Sequence, residues 1–240
     1  MKERLDKFIS SQTALSRRDA GKAIRGKRVT VGGEVCCAVD AKVDPDADRI
    51  TLDGQALTYQ KNVYYLLNKP AGVVSATEDS AERTVIDLIP PDLRRDGIFP
   101  AGRLDKDTTG LLILTDDGEY AHRMLSPKKH VDKTYVATLD REPDASIGDA
   151  FQKGITLSDG TVCQPGQAVC RGNHRAEVTI HEGKYHQVKR MFAALGYKVV
   201  ALERIRIGAL SLDDSLGHGE IRPLTKAEAM QVFDTKPEPY

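Results

Sequence analysis

These 240 residues predict an α+β protein in two parts, and three observations carry that expectation. Leu5, Phe8 and Ile9, then Ala20, Ala23 and Ile24, recur at helical spacing ahead of the alternating Arg28-Val29-Thr30-Val31, so two short helices feed a strand. Beyond residue 63, strand-like and helix-like segments follow one another in mixed order with hairpin-length links. That order argues for a mainly antiparallel mixed sheet with flanking helices and against regular βαβ winding. Between the two parts, the polar run Tyr59-Gln60-Lys61-Asn62 gives way to the apolar Val63-Tyr64-Tyr65-Leu66-Leu67. The expected division is a small domain over 1–57, a linker at 58–62, a larger domain over 63–234 and a tail at 235–240.

Each element has a local reason. Ser16 precedes Arg17-Arg18-Asp19-Ala20 as an N-cap with an acid in the first turn, Gly26 is placed to end that helix, and Gly32-Gly33 turns the following strand. In the larger domain, strands are expected at Val63–Leu67, Leu111–Thr115, Lys133–Leu139, Ala176–Ile180 and Val199–Ile207. Helices are expected near Thr84–Leu88, Glu119–Leu125, Ala145–Lys153 and Gln187–Leu195. In the last of these, Val188, Met191, Phe192 and Leu195 form an apolar face beneath a basic edge.

Composition narrows the function. A hydrophobic fraction of 40% with 29% charged residues suits a folded globular chain. No apolar run reaches the ~20 residues of a membrane helix, and the first ten residues lack the apolar stretch of a secretion signal. Cys36, Cys37, Cys163 and Cys170 show no C-x-x-C spacing, so neither a disulfide scaffold nor structural zinc is expected, and a reducing cytoplasm is. With no Trp and 5% aromatics, a broad base-stacking surface is not available.

The net charge of zero hides a partition. Residues 1–33 hold nine bases against three acids, residues 34–57 two bases against six acids, and residues 171–206 eight bases against three acids. Two basic blocks far apart in sequence suggest two contact surfaces for a polyanion.

Two acidic stretches require separate readings. Asp44, Asp46 and Asp48 alternate like calcium-loop ligands, but Arg49 stands where glycine is needed, which leaves an acidic turn. The stretch Gly102-Arg103-Leu104-Asp105-Lys106-Asp107-Thr108-Thr109-Gly110-Leu111-Leu112 places an arginine and two acids before a buried-strand pattern. A calcium loop starting at Asp105 is weakened by Thr109 and by Asp116 where a glutamate belongs. A glycosidase could use Asp105 and Asp107 as its pair of carboxylates.

The full set of motifs carries a third reading. Arg4-Leu5-Asp6, Ser16-Arg17-Arg18 and Gly26 through Gly32 resemble the S4 RNA-binding module. Gly102-Arg103-Leu104-Asp105 with Gly110-Leu111-Leu112 resembles the aspartate loop of pseudouridine synthases. Lys69-Pro70, Lys133-Thr134-Tyr135, Glu182-Gly183-Lys184-Tyr185-His186-Gln187-Val188-Lys189-Arg190-Met191 and Arg204-Ile205-Arg206-Ile207-Gly208 follow in the order that family shows. Thr108-Thr109-Gly110, Asp116-Asp117-Gly118 and Tyr185 through Arg190 are similar to the branch that modifies one uridine of small-subunit (16S) ribosomal RNA. Lys184 departs from the arginine common there.

The resemblance implies that Asp105 is the catalytic carboxylate, attacking the sugar or abstracting a sugar proton. It implies that Tyr135 stacks on the extruded base near C5 and that Lys189 holds Asp105 ionised, with Arg190 as the alternative partner. Arg103 and Leu104 are implied as supporting residues, and Arg4, Arg17, Arg18, Lys22, Arg25, Lys69, Lys184 and Arg204 as RNA contacts. His186 reads as helix-start packing or hydrogen bonding. The isomerisation imports no group, so no metal and no cofactor are expected. The expected partner is small-subunit ribosomal RNA or a partly assembled particle, met by a monomer away from any membrane. The rivals are a non-catalytic S4-type ribosome-assembly protein and a synthase for large-subunit RNA. An S4-linked methyltransferase would need a glycine-rich nucleotide loop after a strand, and none is present.

Overall fold

The computed structural model describes residues 2–126 and 129–234, so the tail expected at 235–240 lies outside the described residues. The chain divides into two compact units, one of 2–63 with Ile89–Ile98, the other of Tyr64–Leu88 with 99–234.

The first unit runs β1 (Glu3–Arg4), α1 (Leu5–Gln12), α2 (Arg17–Arg25), β2 (Val29–Val31), β3 (Glu34–Val35), β4 (Lys42–Val43), β5 (Ile50–Leu52) and β6 (Gln55–Ala56). The two apolar stripes seen in the sequence meet: Leu5, Phe8, Ile9, Ala20, Ala23 and Ile24 share one core with Val29, Val43 and Ile50. Ser16 caps α2 by accepting from the Asp19 amide at 3.2 Å. Gly32 and Gly33 both have positive φ, the geometry a two-residue β2–β3 hairpin needs. In the 44–48 turn, Asp44 and Asp48 carboxylates accept amides of the same turn.

The boundary differs from the expected one. Residues 58–62 are continuous with this unit: Leu57 and Tyr59 pack on its core, and the Tyr59 ring lies 6.1 Å from that of Phe8. Ile89–Ile98, expected within the larger domain, also joins the first unit, and Arg95 donates to the Lys61 carbonyl at 3.2 Å.

The second unit contains β7 (Tyr64–Lys69), β8 (Phe99–Pro100), β9 (Thr109–Thr115), α3 (Gly118–Leu125), β10 (Lys133–Leu139), α4 (Ile147–Lys153), β11 (Gln167–Gly172), β12 (Arg175–Ile180), α5 (Gln187–Ala194), β13 (Val199–Ile207), β14 (Leu210–Ser211), β15 (Ile221–Pro223) and α6 (Lys226–Met230). Its sheet has the order β11-β12-β10-β13-β9-β7-β15, with β14 beside β13 and β8 beside β9. Every pairing is antiparallel except β9 with β13, the mixed arrangement the sequence predicts.

All six residues of β7 are buried, and so are Gly110–Thr115 of β9. These two strands therefore lack polar-apolar alternation. Tyr64, Leu66, Leu111 and Ile113 pack with Tyr120 and Met124 of α3 and Ala229 of α6. The helix expected at Thr84–Leu88 is reduced to one 3-10 turn, Ile86–Leu88. Its backbone is used elsewhere, because the Val74 amide donates to the Arg83 carbonyl, the Val85 amide donates to the Val74 carbonyl, and Asp87 takes the Thr84 amide. No helix among the described residues is long and apolar enough to cross a membrane.

One glycine joins the two halves of the sheet. Gly110 has φ +97° at the parallel β9–β13 pair, and a Cβ there would lie 2.3 Å from the Arg204 carbonyl oxygen. Gly110→Ala is therefore expected to cost about 2–5 kcal/mol through strain and forced strand separation. Gly118→Ala, in α3 with open space around it, should be neutral or stabilising by up to about 1 kcal/mol. Urea unfolding of the two variants checks the contrast.

Candidate active site

The site begins with a buried lysine. Lys69, at the end of β7, has no accessible surface. Its ammonium donates to the carbonyls of Pro70, Asp105, Lys106 and Thr108 at 3.0–3.3 Å. Three of those carbonyls belong to the loop between β8 and β9, so the loop is wrapped around one charge. Gly72 adds a bond to the Lys106 carbonyl at 2.8 Å, and Ser75 both donates to and accepts from the Leu104 backbone at 3.0 and 3.1 Å. Burial pushes the Lys69 pKa down to about 8, against the pull of Asp107 and Asp105. The RNA contact expected of Lys69 is thus corrected: it faces the loop from inside.

The loop presents Asp105 to α5. Lys189 lies 3.0 Å from Asp105 Oδ2 and 2.6 Å from Asp107 Oδ1, one ammonium between two carboxylates. Burial works against the Lys189 charge, but the hydrogen bonds and charges of Asp107 and Asp105 outweigh it and raise its pKa. The same hydrogen bond holds Asp107 below its ordinary value. Arg190 turns away, 2.5 Å from Asp159. Of the two partners the sequence left open for Asp105, the geometry brings up Lys189.

Asp105 opens on a pocket of about 90 Å³ lined by Arg103, Leu104, Thr108, Tyr135, Ile180, Lys184, His186, Gln187 and others. Tyr135 is 8% exposed on β10. The β10–β13 register slips between Thr134 and Tyr135, a bulge beside the site that sets Tyr135 opposite Arg204. Arg204 is 3% exposed, donates to the Leu111 carbonyl at 2.8 Å and lies 6.0 Å from the Tyr135 ring centre. Its expected role as an RNA contact is therefore corrected, because its side chain is buried against the backbone of β9. Lys133, two residues before Tyr135, is also buried, and burial lowers its pKa to about 8, with Arg204 adding to the effect. Lys184, expected as an RNA contact, has its ammonium bound to Glu182.

Arg103 stays exposed at the rim and Leu104 is buried behind it. Among the first unit's expected contacts, Arg4 and Arg17 both fold onto Asp6, at 3.0 and 3.2 Å. Lys22 pairs with Asp19 at 2.7 Å, while Arg18 and Arg25 are exposed on α2.

Sequence reasoning placed His186 at a helix start, where it stands ahead of α5, but not beside Asp105. Its Nε2 is 3.5 Å from Asp105 Oδ1, and its backbone is left-handed at φ +47°, which turns the ring into the site ahead of α5. Its position before an apolar helical stripe marked a helix start, and nothing local showed which way the ring would face. Thr108 was missed; its buried hydroxyl has no hydrogen-bond partner among the described residues. No group of three or more His, Cys, Asp or Glu among the described residues is placed to hold a metal ion.

Residues 63–194 match the RNA pseudouridylate synthase family, and residues 3–50 match the S4 domain. The chain belongs to the RNA pseudouridylate synthase family. The synthase is 43% identical over 229 residues to an uncharacterized RNA pseudouridine synthase of Bacillus subtilis, covering 94% of this chain and 96% of that protein. It is 43% identical over 231 residues to the ribosomal small subunit pseudouridine synthase A of Escherichia coli K12, covering 95% and 99%. A crystal structure described as a pseudouridylate synthase superposes with a TM-score of 0.67 at 40% identity, covering 96% of the synthase and 99% of that chain.

The shared ammonium makes a test. Lys189→Met removes the one ammonium that both Asp105 and Asp107 contact. The acidic limb of the pH–rate profile is expected to move to higher pH, because the site loses the ammonium whose hydrogen bond holds Asp107 below its ordinary value. Arg190→Gln should leave that limb where it is. Single-turnover rates from pH 5 to 9 provide the measurement.

Proposed function

We propose that this synthase converts a uridine of small-subunit ribosomal RNA to pseudouridine, with Asp105, Tyr135 and Lys189 as its catalytic residues. The observation that carries the reading is the Asp105 carboxylate, 3.0 Å from a cation at the mouth of a pocket that Tyr135 lines. The substrate class is supported by 42–43% identity, across 95% of this chain, to proteins named for the small ribosomal subunit in Yersinia pestis and E. coli.

The reaction breaks the C1′–N1 bond and forms C1′–C5, with a net shift of one proton from C5 to N1. The target base first leaves its stack, at a cost of a few kcal/mol that RNA contacts offset. Arg103, exposed at the rim, stands where the base enters. Asp105 acts at the sugar through its carboxylate, which the Lys189 ammonium holds in place from 3.0 Å. The released uracil turns within the pocket against the Tyr135 ring, whose hydroxyl takes part in removing the C5 proton. The glycosidase reading is less well supported, since Asp105 and Asp107 share one ammonium instead of separating into an acid and a base. Under this reading the protein works in the cytoplasm, where small subunits are assembled. One chain carries both an RNA-binding unit and a full set of site residues, so it works as a monomer.

Asp105→Asn is expected to abolish isomerisation while RNA affinity changes little, since the amide keeps the shape and loses the charge. Mapping pseudouridine in small-subunit RNA from cells with the parent and with the variant checks it; a modified uridine in both would remove Asp105 from its role.

A second test concerns the first unit. Arg18→Gln with Arg25→Gln removes two exposed cations of α2 and should flatten the salt dependence of RNA binding by about 1.4, at roughly 0.7 per phosphate contact on single strands. Affinity measured across a salt series gives the slope.

A further inference from the structure

Tyr185 is the one aromatic among the exposed large hydrophobic side chains of the described residues, at 75% accessibility. A ring that size in water forgoes the burial that would stabilise it. It is nevertheless held in one place. Its ring lies 3.8 Å from the His186 ring with the planes 18° apart, a stacked pair. The backbone beneath is pinned on both sides: Arg190 donates to the Tyr185 carbonyl at 3.4 Å, and the Lys184 amide donates to Gln187 at 2.8 Å. Glu182 braces the same segment, accepting from the Gln164 amide at 2.9 Å and from Gln187 at 2.6 Å.

The order of the rings fixes what the platform can receive. His186 lines the pocket and reaches Asp105 at 3.5 Å. Tyr185 does not line the pocket; it sits one ring further out, against His186. A strand whose uridine has turned into the pocket leaves the next base without its stacking neighbour. An exposed aromatic face one ring from the carboxylate can replace that neighbour, and it does so for any base because every base has a π-face.

We propose that Tyr185 is the stacking platform for the nucleobase adjacent to the target uridine, a positioning residue that binds RNA without touching the reacting atoms. The proposal rests on the RNA-isomerase reading above. It differs from a purely internal role, in which Tyr185 only props His186 against Asp105. A prop would act on kcat, whereas a platform acts on KM.

Full-length parent, Tyr185→Ala and Tyr185→Phe are compared in steady-state kinetics on a small-subunit RNA fragment. In Tyr185→Ala, KM is expected to rise by about 5- to 100-fold with kcat held within about twofold, and Tyr185→Phe should stay near the parent. In an Asp105→Asn background, 2-aminopurine is placed on the 5′ and then on the 3′ side of the target. Its emission should be quenched on one side, and adding Tyr185→Ala should abolish that quench. An unchanged KM, a loss in kcat alone, or a quench that survives Tyr185→Ala overturns the platform while the isomerase reading stands. A parent that modifies no uridine of the fragment overturns both.

Discussion

Lys69 keeps its ammonium where water does not reach, and the loop that carries Asp105 is shaped by that charge. Four backbone carbonyls converge on it, three of them from the 105–108 turn. A buried charge without partners is costly, so the chain around it has few alternative arrangements. The carbonyls in turn need a donor, and none but Lys69 reaches them all. The loop is thus held by mutual need between one side chain and its backbone. Burial draws the pKa to about 8, and the nearby carboxylates oppose that fall. The ammonium and the acids on the outer side of the loop therefore support each other through it.

The outer side has the same logic with more water. Lys189 serves Asp105 and Asp107 together, at the end of a helix whose apolar residues Val188, Met191 and Phe192 are buried. Packing of that face sets where the ammonium stands. The site is thus fixed by three strands and one helix: β7 through Lys69, β9 through Gly110, β10 through Tyr135 and α5 through Lys189. The parallel β9–β13 contact brings these together, and Gly110 permits it by giving up its side chain. Arg204 and Lys133 add two more buried cations behind the pocket.

The first unit uses its charges differently. Asp6 is buried and gathers the guanidinium groups of Arg4 and Arg17 at 3.0 and 3.2 Å, so part of the basic block near the amino terminus serves the fold. The hydrogen bond from Arg4 holds the Asp6 carboxyl below its ordinary value. Ile89–Ile98, ten residues that interrupt the second unit in sequence, complete the first.

By itself the sequence determined what depends on spacing and local chemistry. The helices of the first unit, the Ser16 cap, the Gly32-Gly33 turn, the strands at Lys133–Leu139 and Val199–Ile207 and the motifs around Asp105 all follow from neighbours a few residues away. Tertiary structure alone decided what depends on burial across distant segments. The family resemblance implies Lys69 and Arg204 as RNA contacts, and only the folded sheet shows them enclosed. Lys189 and Arg190 are adjacent and equally cationic, so only the rotation of α5 separates the one that meets Asp105 from the one that meets Asp159. His186 enters the site through a left-handed backbone that no spacing announces. Spacing sets which side chains share a face, whereas a charge takes its role from what the fold puts around it.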